Sequence, residues 1–77
     1  MFLGEKVRQL REARGLSQEQ LARLSECSIW TIHRIETGKV TPLASTLARI
    51  AVALGENPGF FGIWILVRPK RRVKAMA

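Results

Sequence analysis

The sequence predicts an all-α domain of four short helices, followed by a short β-strand and a basic tail. Three observations lead there. Apolar residues recur at helical spacing through most of the chain up to Gly55, and polar capping residues and glycines punctuate these stretches. Beyond Gly55 the pattern gives way to an aromatic and β-branched run. Seventy-seven residues leave room for one domain with a modest core, not two.

In the first element Leu3, Val7 and Leu10 form an apolar stripe among Glu5, Lys6, Arg8, Gln9 and Glu12, and Gly15 is placed to end the helix. Ser17-Gln18-Glu19-Gln20 reads as a capping box with Leu16 and Leu21 as its hydrophobic staple, so a second, short helix runs to about Leu24. Ser28 caps a third helix from about Ile29 to Glu36 or Thr37, with Cys27 stapled onto Ile32 and Gly38 as the stop. The few residues from Leu24 to Cys27 are too short for a parallel return, so the second and third helices meet at a steep angle across a tight turn. Thr41-Pro42, a cap followed by proline at the first helical position, opens a fourth helix. Its Leu43, Leu47, Ile50, Ala51 and Leu54 share one face, and Gly55 closes it.

Glu56-Asn57-Pro58-Gly59 is a turn, and Phe60 to Val67 reads as a strand that Pro69 stops. Phe61, Ile63, Ile65 and Val67 line one of its faces and Phe60, Gly62, Trp64 and Leu66 the other, so neither is polar enough to meet water. Pairing with the same strand of a second subunit would protect it and enlarge a thin core. A fifth core helix from Asn57 to Leu66 is the alternative, because short apolar runs are ambiguous by pattern alone. The tail from Arg68 to Ala77 carries Lys70, Arg71, Arg72 and Lys74.

Thirteen Lys and Arg against six Glu give a net charge of +7. The sequence pI near 11.2 points to a polyanionic partner, nucleic acid before membrane. One Cys, one His and no Asp leave no disulfide framework and no metal cage, and no Gly-rich phosphate loop is present, so neither an enzyme nor a cofactor is expected. The charged Glu5-Lys6 near the start interrupts any signal-peptide core, and the run from Gly59 to Val67 falls well short of the ~20 residues of a membrane span. A cytoplasmic protein with no membrane partner is the expectation.

Two short capped helices joined by a tight turn in a basic helical domain suggest a helix-turn-helix. The segment from Val7 to Ala22, then Thr31-Ile32-His33-Arg34-Ile35-Glu36-Thr37-Gly38, Pro42 and Leu54-Gly55, resembles the Xre-type family of phage lambda-repressor-like DNA-binding domains over roughly residues 4–56. The resemblance implies a five-helix-type lambda-repressor-like helix-turn-helix fold, of which four helices are clear. It implies a DNA-binding domain over 1–56, to which the residue pattern adds a dimerisation strand over 57–68 and a basic tail over 69–77. The third helix would lie in the major groove, with the second helix aimed at a phosphate.

The start of the second helix offers unpaired N–H groups, a positive dipole end and the Gln18 amide, which together make a neutral phosphate clamp. On the third helix, 100° per residue puts Ser28, Ile32, Ile35 and Glu36 on one face and Trp30, His33, Arg34 and Thr37 on the other, with Ile29 and Thr31 on the flanks. Arg34 suits guanine or a phosphate, His33 a guanine acceptor or a phosphate, and Ile29, Trp30 and the Thr31 methyl suit thymine methyls. The resemblance assigns base reading to Ile29, Trp30, Thr31, His33 and Arg34. It assigns phosphate contacts to Ser17, Gln18, Thr37, Lys39 and Thr41, and makes Arg11 and Glu36 an internal ion pair.

Three positions depart from the family pattern. Glu26 stands where the turn has glycine, which demands a penalised left-handed residue or a different turn geometry. Leu43 replaces a polar cap, which moves the expected cap back to Thr41. Cys27 takes the place of a small apolar residue and reads as core.

The run from Gly59 to Lys70 is similar to the strand with which HipB-like antitoxins build an intermolecular two-stranded sheet. That resemblance implies a homodimer through Phe60, Phe61, Ile63, Trp64, Ile65, Leu66 and Val67, repression of its own operon, and a kinase-type toxin as partner. Without it, the expectation is a phage-type or restriction-modification controller regulator dimerising through a helix. Either way double-stranded DNA with a pseudo-palindromic operator is the expected target. A protein-interaction module using Ile29, Trp30 and Phe60 to Val67 is the rival from another class. A peripheral membrane binder, inserting Phe60 to Leu66 beside Lys70 to Lys74, is a third reading.

Overall fold

In the computed structural model, which describes residues 2–62, side chains set the first three helix starts and backbone geometry sets the helix ends. The Glu5 carboxylate accepts from the Phe2 N–H at 3.1 Å, and α1 runs over Leu3–Ala13. The expected capping box is present at α2, Gln18–Leu24: the Gln20 N–H donates to Ser17 Oγ at 3.0 Å and the Ser17 N–H to Gln20 Oε1 at 2.8 Å. Ser28 Oγ accepts from the Thr31 N–H at 3.1 Å to open α3, Ile29–Glu36. The fourth helix, α4, spans Ala44–Ala53.

All four helices stop in the same way. The N–H two residues past the C-cap returns to the carbonyl five residues back: Leu16 to Arg11 at 3.0 Å, and Cys27 to Ala22, Lys39 to Arg34 and Glu56 to Ala51 at 2.8 Å each. This Schellman geometry needs one left-handed residue between. Glycine supplies it after α1, α3 and α4, while after α2 it is Glu26, at φ 59°. The tight turn therefore keeps its usual shape and bears the strain of a side chain there.

The opening of α4 differs from the expectation. Its N-cap is Leu43, with no side-chain cap, and not Thr41. Leu47, Ile50, Ala51 and Leu54 are buried and set where the helix lies, whereas Thr41 and Pro42 fall outside that stripe and stay in the connecting segment. Leu43 is extended at ψ 154° and 75% exposed, so it leaves the apolar face to which its spacing assigned it.

The core joins Leu3 and Val7 of α1, Leu21 and Ala22 of α2, Ile32 and Ile35 of α3, Leu47, Ile50 and Ala51 of α4, and Leu54 and Phe61 beyond it. Leu10, Leu16, Cys27 and Phe60 pack against its edge. The second correction concerns Phe60 and Phe61. The backbone there turns, with the Phe60 N–H donating to Asn57 O and the Gly62 N–H to Gly59 O, both at 2.9 Å, so neither residue is in a strand. Phe61 is 1% exposed, closing the domain's own core with its ring edge-on to Phe60 at 5.1 Å. The rest of the expected strand, Ile63, Trp64, Ile65, Leu66 and Val67, and the basic tail lie outside the described residues. Among the described residues there is no strand and no helix long and apolar enough to cross a membrane.

Candidate nucleic-acid interface

The outer face of α3 follows from what the inner face must bury. Ile32 and Ile35 go fully into the core and Glu36 goes nearly so, which turns Trp30, His33, Arg34 and Thr37 outward as the 100° spacing requires. Ser28, placed with the inner set by the same spacing, is exposed as the cap. At the leading turn Trp30 is 67% exposed and Ile29 42%, while Thr31 is half-buried.

The end of α3 is fixed by a buried ionic cluster. Arg11 donates from Nε to Glu36 Oε2 at 2.7 Å and from Nη2 to Glu36 Oε1 at 3.0 Å, a bidentate pair between side chains 11% and 2% exposed. Arg11 Nη1 also donates to Leu16 O at 2.8 Å, anchoring the loop between α1 and α2. The hydrogen bond to Glu36 holds the guanidinium proton more tightly than usual, raising the Arg11 pKa against the opposing effect of burial. The expected ion pair is thus present, joining the first helix to the end of the third.

Gln18 belongs to this cluster. Its Nε2 donates to Glu36 Oε1 at 3.1 Å, so the amide expected to clamp a phosphate is oriented by the carboxylate at the end of α3. An amide nitrogen carries two N–H groups, and the bond to Glu36 uses one. Sequence spacing gives Gln18 and Glu36 separate roles, because pairing across elements leaves no local signature.

Two further positions escaped the sequence reading. Arg49 of α4 donates from Nε to Ser25 O at 3.0 Å, with Nη2 at 4.0 Å from Cys27 Sγ, and so clamps the turn between α2 and α3 from outside the motif. Gly4 is buried where α1 crosses the end of α3: a Cβ there would strike Ile35 O and lie 2.8 Å from Glu36 O. An isolated arginine on an amphipathic helix and a glycine near a chain start gave no local signal of either role.

The remaining expected phosphate contacts are exposed but differ in what their side chains already do. Ser17 Oγ accepts within the capping box, and Thr37 Oγ1 donates back to His33 O at 2.9 Å. Lys39 and Thr41 lie exposed in the segment between α3 and α4. Arg8, Arg11, Arg14 and Arg23 pair with glutamates, Lys6 donates to Gln9, and Arg49 holds Ser25. Among the described residues this leaves Arg34 and Lys39 as the lysine and arginine side chains with no intramolecular partner. Both lie on or just beyond α3, so the uncommitted positive charge collects beside its outer face.

The family described as a helix-turn-helix domain matches residues 3–59. Among solved structures, the restriction-modification controller protein C.AhdI from Aeromonas hydrophila is similar with a TM-score of 0.71 and 36% identity, over 73% of this chain and 81% of that one. An HTH_3 family transcriptional regulator from Vibrio cholerae matches with a TM-score of 0.71 and 30% identity over 84% of this chain, which spans 37% of that protein. The clp gene regulator ClgR from Corynebacterium glutamicum matches at 0.72 and 26% identity, over 84% of this chain and 69% of that one. Among curated proteins no sequence matches.

Proposed function

The chain belongs to the helix-turn-helix domain family, and from that premise we propose that it is a DNA-binding transcriptional regulator without catalytic activity, acting as a homodimeric repressor on a pseudo-palindromic operator. The observation that carries this reading is the outer face of α3. Its inner side is locked by Ile32, Ile35 and the Arg11–Glu36 pair, while Trp30, His33 and Arg34 stand outward with Lys39 close behind. A rigid helix with uncommitted cations is what docking in a major groove requires.

In this reading Arg34 reads guanine or a phosphate, His33 donates to a guanine acceptor or a phosphate, and Ile29, Trp30 and Thr31 meet base edges. The start of α2 meets a phosphate through its N–H groups and the second N–H of Gln18, with Ser17, Thr37, Lys39 and Thr41 contributing to backbone contacts. Occupying an operator over a promoter is sufficient for repression. The controller-type regulator is favoured over the antitoxin, since the likeness to C.AhdI supports the former and the turns at Phe60 and Phe61 take these two residues out of the strand expected for the latter. No observation favours a toxin partner.

The test is the salt dependence of binding to duplex DNA from the gene's own upstream region. If each subunit neutralises three to four phosphates, the slope of log K against log salt is about −5 to −7 for the dimer. A slope near zero, or loss of neither affinity nor specificity in Arg34→Ala, overturns the proposal and favours a surface for another protein.

A further inference from the structure

The leading turn of α3 has an unusual chemistry for a base-reading surface. Its outward residues are Ile29 and Trp30, 42% and 67% exposed. The hydroxyls of Ser28 and Thr31 bond one another at 3.0 Å, which uses one of their two O–H groups. The side chains with uncommitted polar groups, His33 and Arg34, come a full turn later on the same side. Beyond the indole N–H of Trp30 and the hydroxyl left over from the Ser28–Thr31 pair, the surface that the first turn offers base edges is the apolar surface of Ile29 and Trp30.

In the major groove the apolar feature that a base presents is the C5-methyl group of thymine, and 5-methylcytosine places a methyl at the same position. Leaving Ile29 and Trp30 in water, or setting them against polar base edges, forfeits the burial that a methyl would provide. We propose that Ile29 and Trp30 make this chain a reader of pyrimidine 5-methyl groups, with Arg34 reading the adjacent polar edge, so that the half-site is recognised by methyl contact first and by hydrogen bonding second. The inference rests on the DNA-binding reading above and names the base chemistry that reading left open. The net charge of +7, with Arg34 unpaired one turn beyond the patch and Lys39 unpaired past the far end of α3, favours duplex DNA over a protein as the occupant of this apolar edge.

The experiment uses the full chain and a duplex selected from a random library. Each thymine of the selected site is replaced singly by deoxyuridine, which removes the methyl and keeps every hydrogen-bonding group. At one or two positions per half-site the affinity is expected to fall about fourfold per methyl lost. Cytosine placed there is expected to bind better when 5-methylated than when not. Trp30→Phe, which removes the indole N–H and keeps an aromatic ring, is expected to retain the deoxyuridine effect, and Trp30→Ala to lose it. Salt-dependent binding that is indifferent to every deoxyuridine substitution, or an effect that Trp30→Phe abolishes, overturns the inference and leaves the regulator reading standing. Absence of salt-dependent binding to any duplex overturns both.

Discussion

Removing the Arg11 side chain is expected to unfold the domain before it has any effect on a DNA contact. Arg11→Ala deletes two hydrogen bonds to Glu36, at 2.7 and 3.0 Å, and one to Leu16 O at 2.8 Å. The Glu36 side chain, 2% exposed, is left with the Gln18 amide at 3.1 Å as its remaining partner. Breaking one side of such a buried pair costs about 3–5 kcal/mol, most of it the desolvation of the stranded carboxylate. For a domain of this size that is a large part of its stability, and the melting temperature falls by about 15–30 °C. The raised Arg11 pKa means that the pair contributes fully at any pH below the ordinary arginine value and is lost only as pH rises through the folded-state value, so its titration adds no pH dependence near neutrality. Urea unfolding followed by circular dichroism, at one fixed protein concentration, measures the loss. Arg11→Met with Glu36→Leu should recover most of it, because no buried charge remains. A single mutant that loses less than about 1 kcal/mol, or a double mutant no better than the single, would show that Glu36 is not held as described.

Four other outcomes follow from the same geometry. Glu26→Gly relieves a left-handed side chain worth about 1–2 kcal/mol against a smaller unfolded-state entropy cost, so it should stabilise by about 0.5–1 kcal/mol in the same assay; a loss would mean the turn is not left-handed at that residue. Gly4→Ala drives a methyl into the carbonyls at the end of α3 and should cost about 1–3 kcal/mol, whereas unchanged stability would exclude the close crossing. Phe61→Ala should cost about 3–5 kcal/mol through the domain core, measured by thermal melting; a mutant that keeps its stability and only dissociates would return Phe61 to a dimer interface. Gln18→Ala and Arg34→Ala should both weaken operator binding, but their stability effects separate them: Arg34→Ala stays within about 0.5 kcal/mol of the parent, having no internal partner, while Gln18→Ala loses about 1–2 kcal/mol by leaving Glu36 short of a donor, and equal stability of the two would refute the shared cluster.

Much of this domain is local information, and local information is legible in a sequence. Ser17 with Gln20 and Ser28 with Thr31 act over three residues, so the starts of α2 and α3 could be read directly, and the apolar spacing of α3 announced which of its sides faces inward. At Glu26 the sequence leaves open a left-handed residue or a different turn geometry, and the backbone takes the first, at φ 59°. Tertiary structure decided what depends on packing between elements. It moved the start of α4 to Leu43, since burial of Leu47 and Ile50 outweighs the pull of a Thr-Pro cap worth about 1 kcal/mol. It drew Phe61 into the core, where an apolar residue was bound to be buried but could not say against what. It also joined Gln18 to Glu36 and Arg49 to Ser25, partners 18 and 24 residues apart, which ties the start of α2 to the end of α3 and the turn between these helices to α4. Capping and periodicity act within a few residues and are written there, while the choice of partner for a buried charge or ring is made only when the whole chain has closed around it.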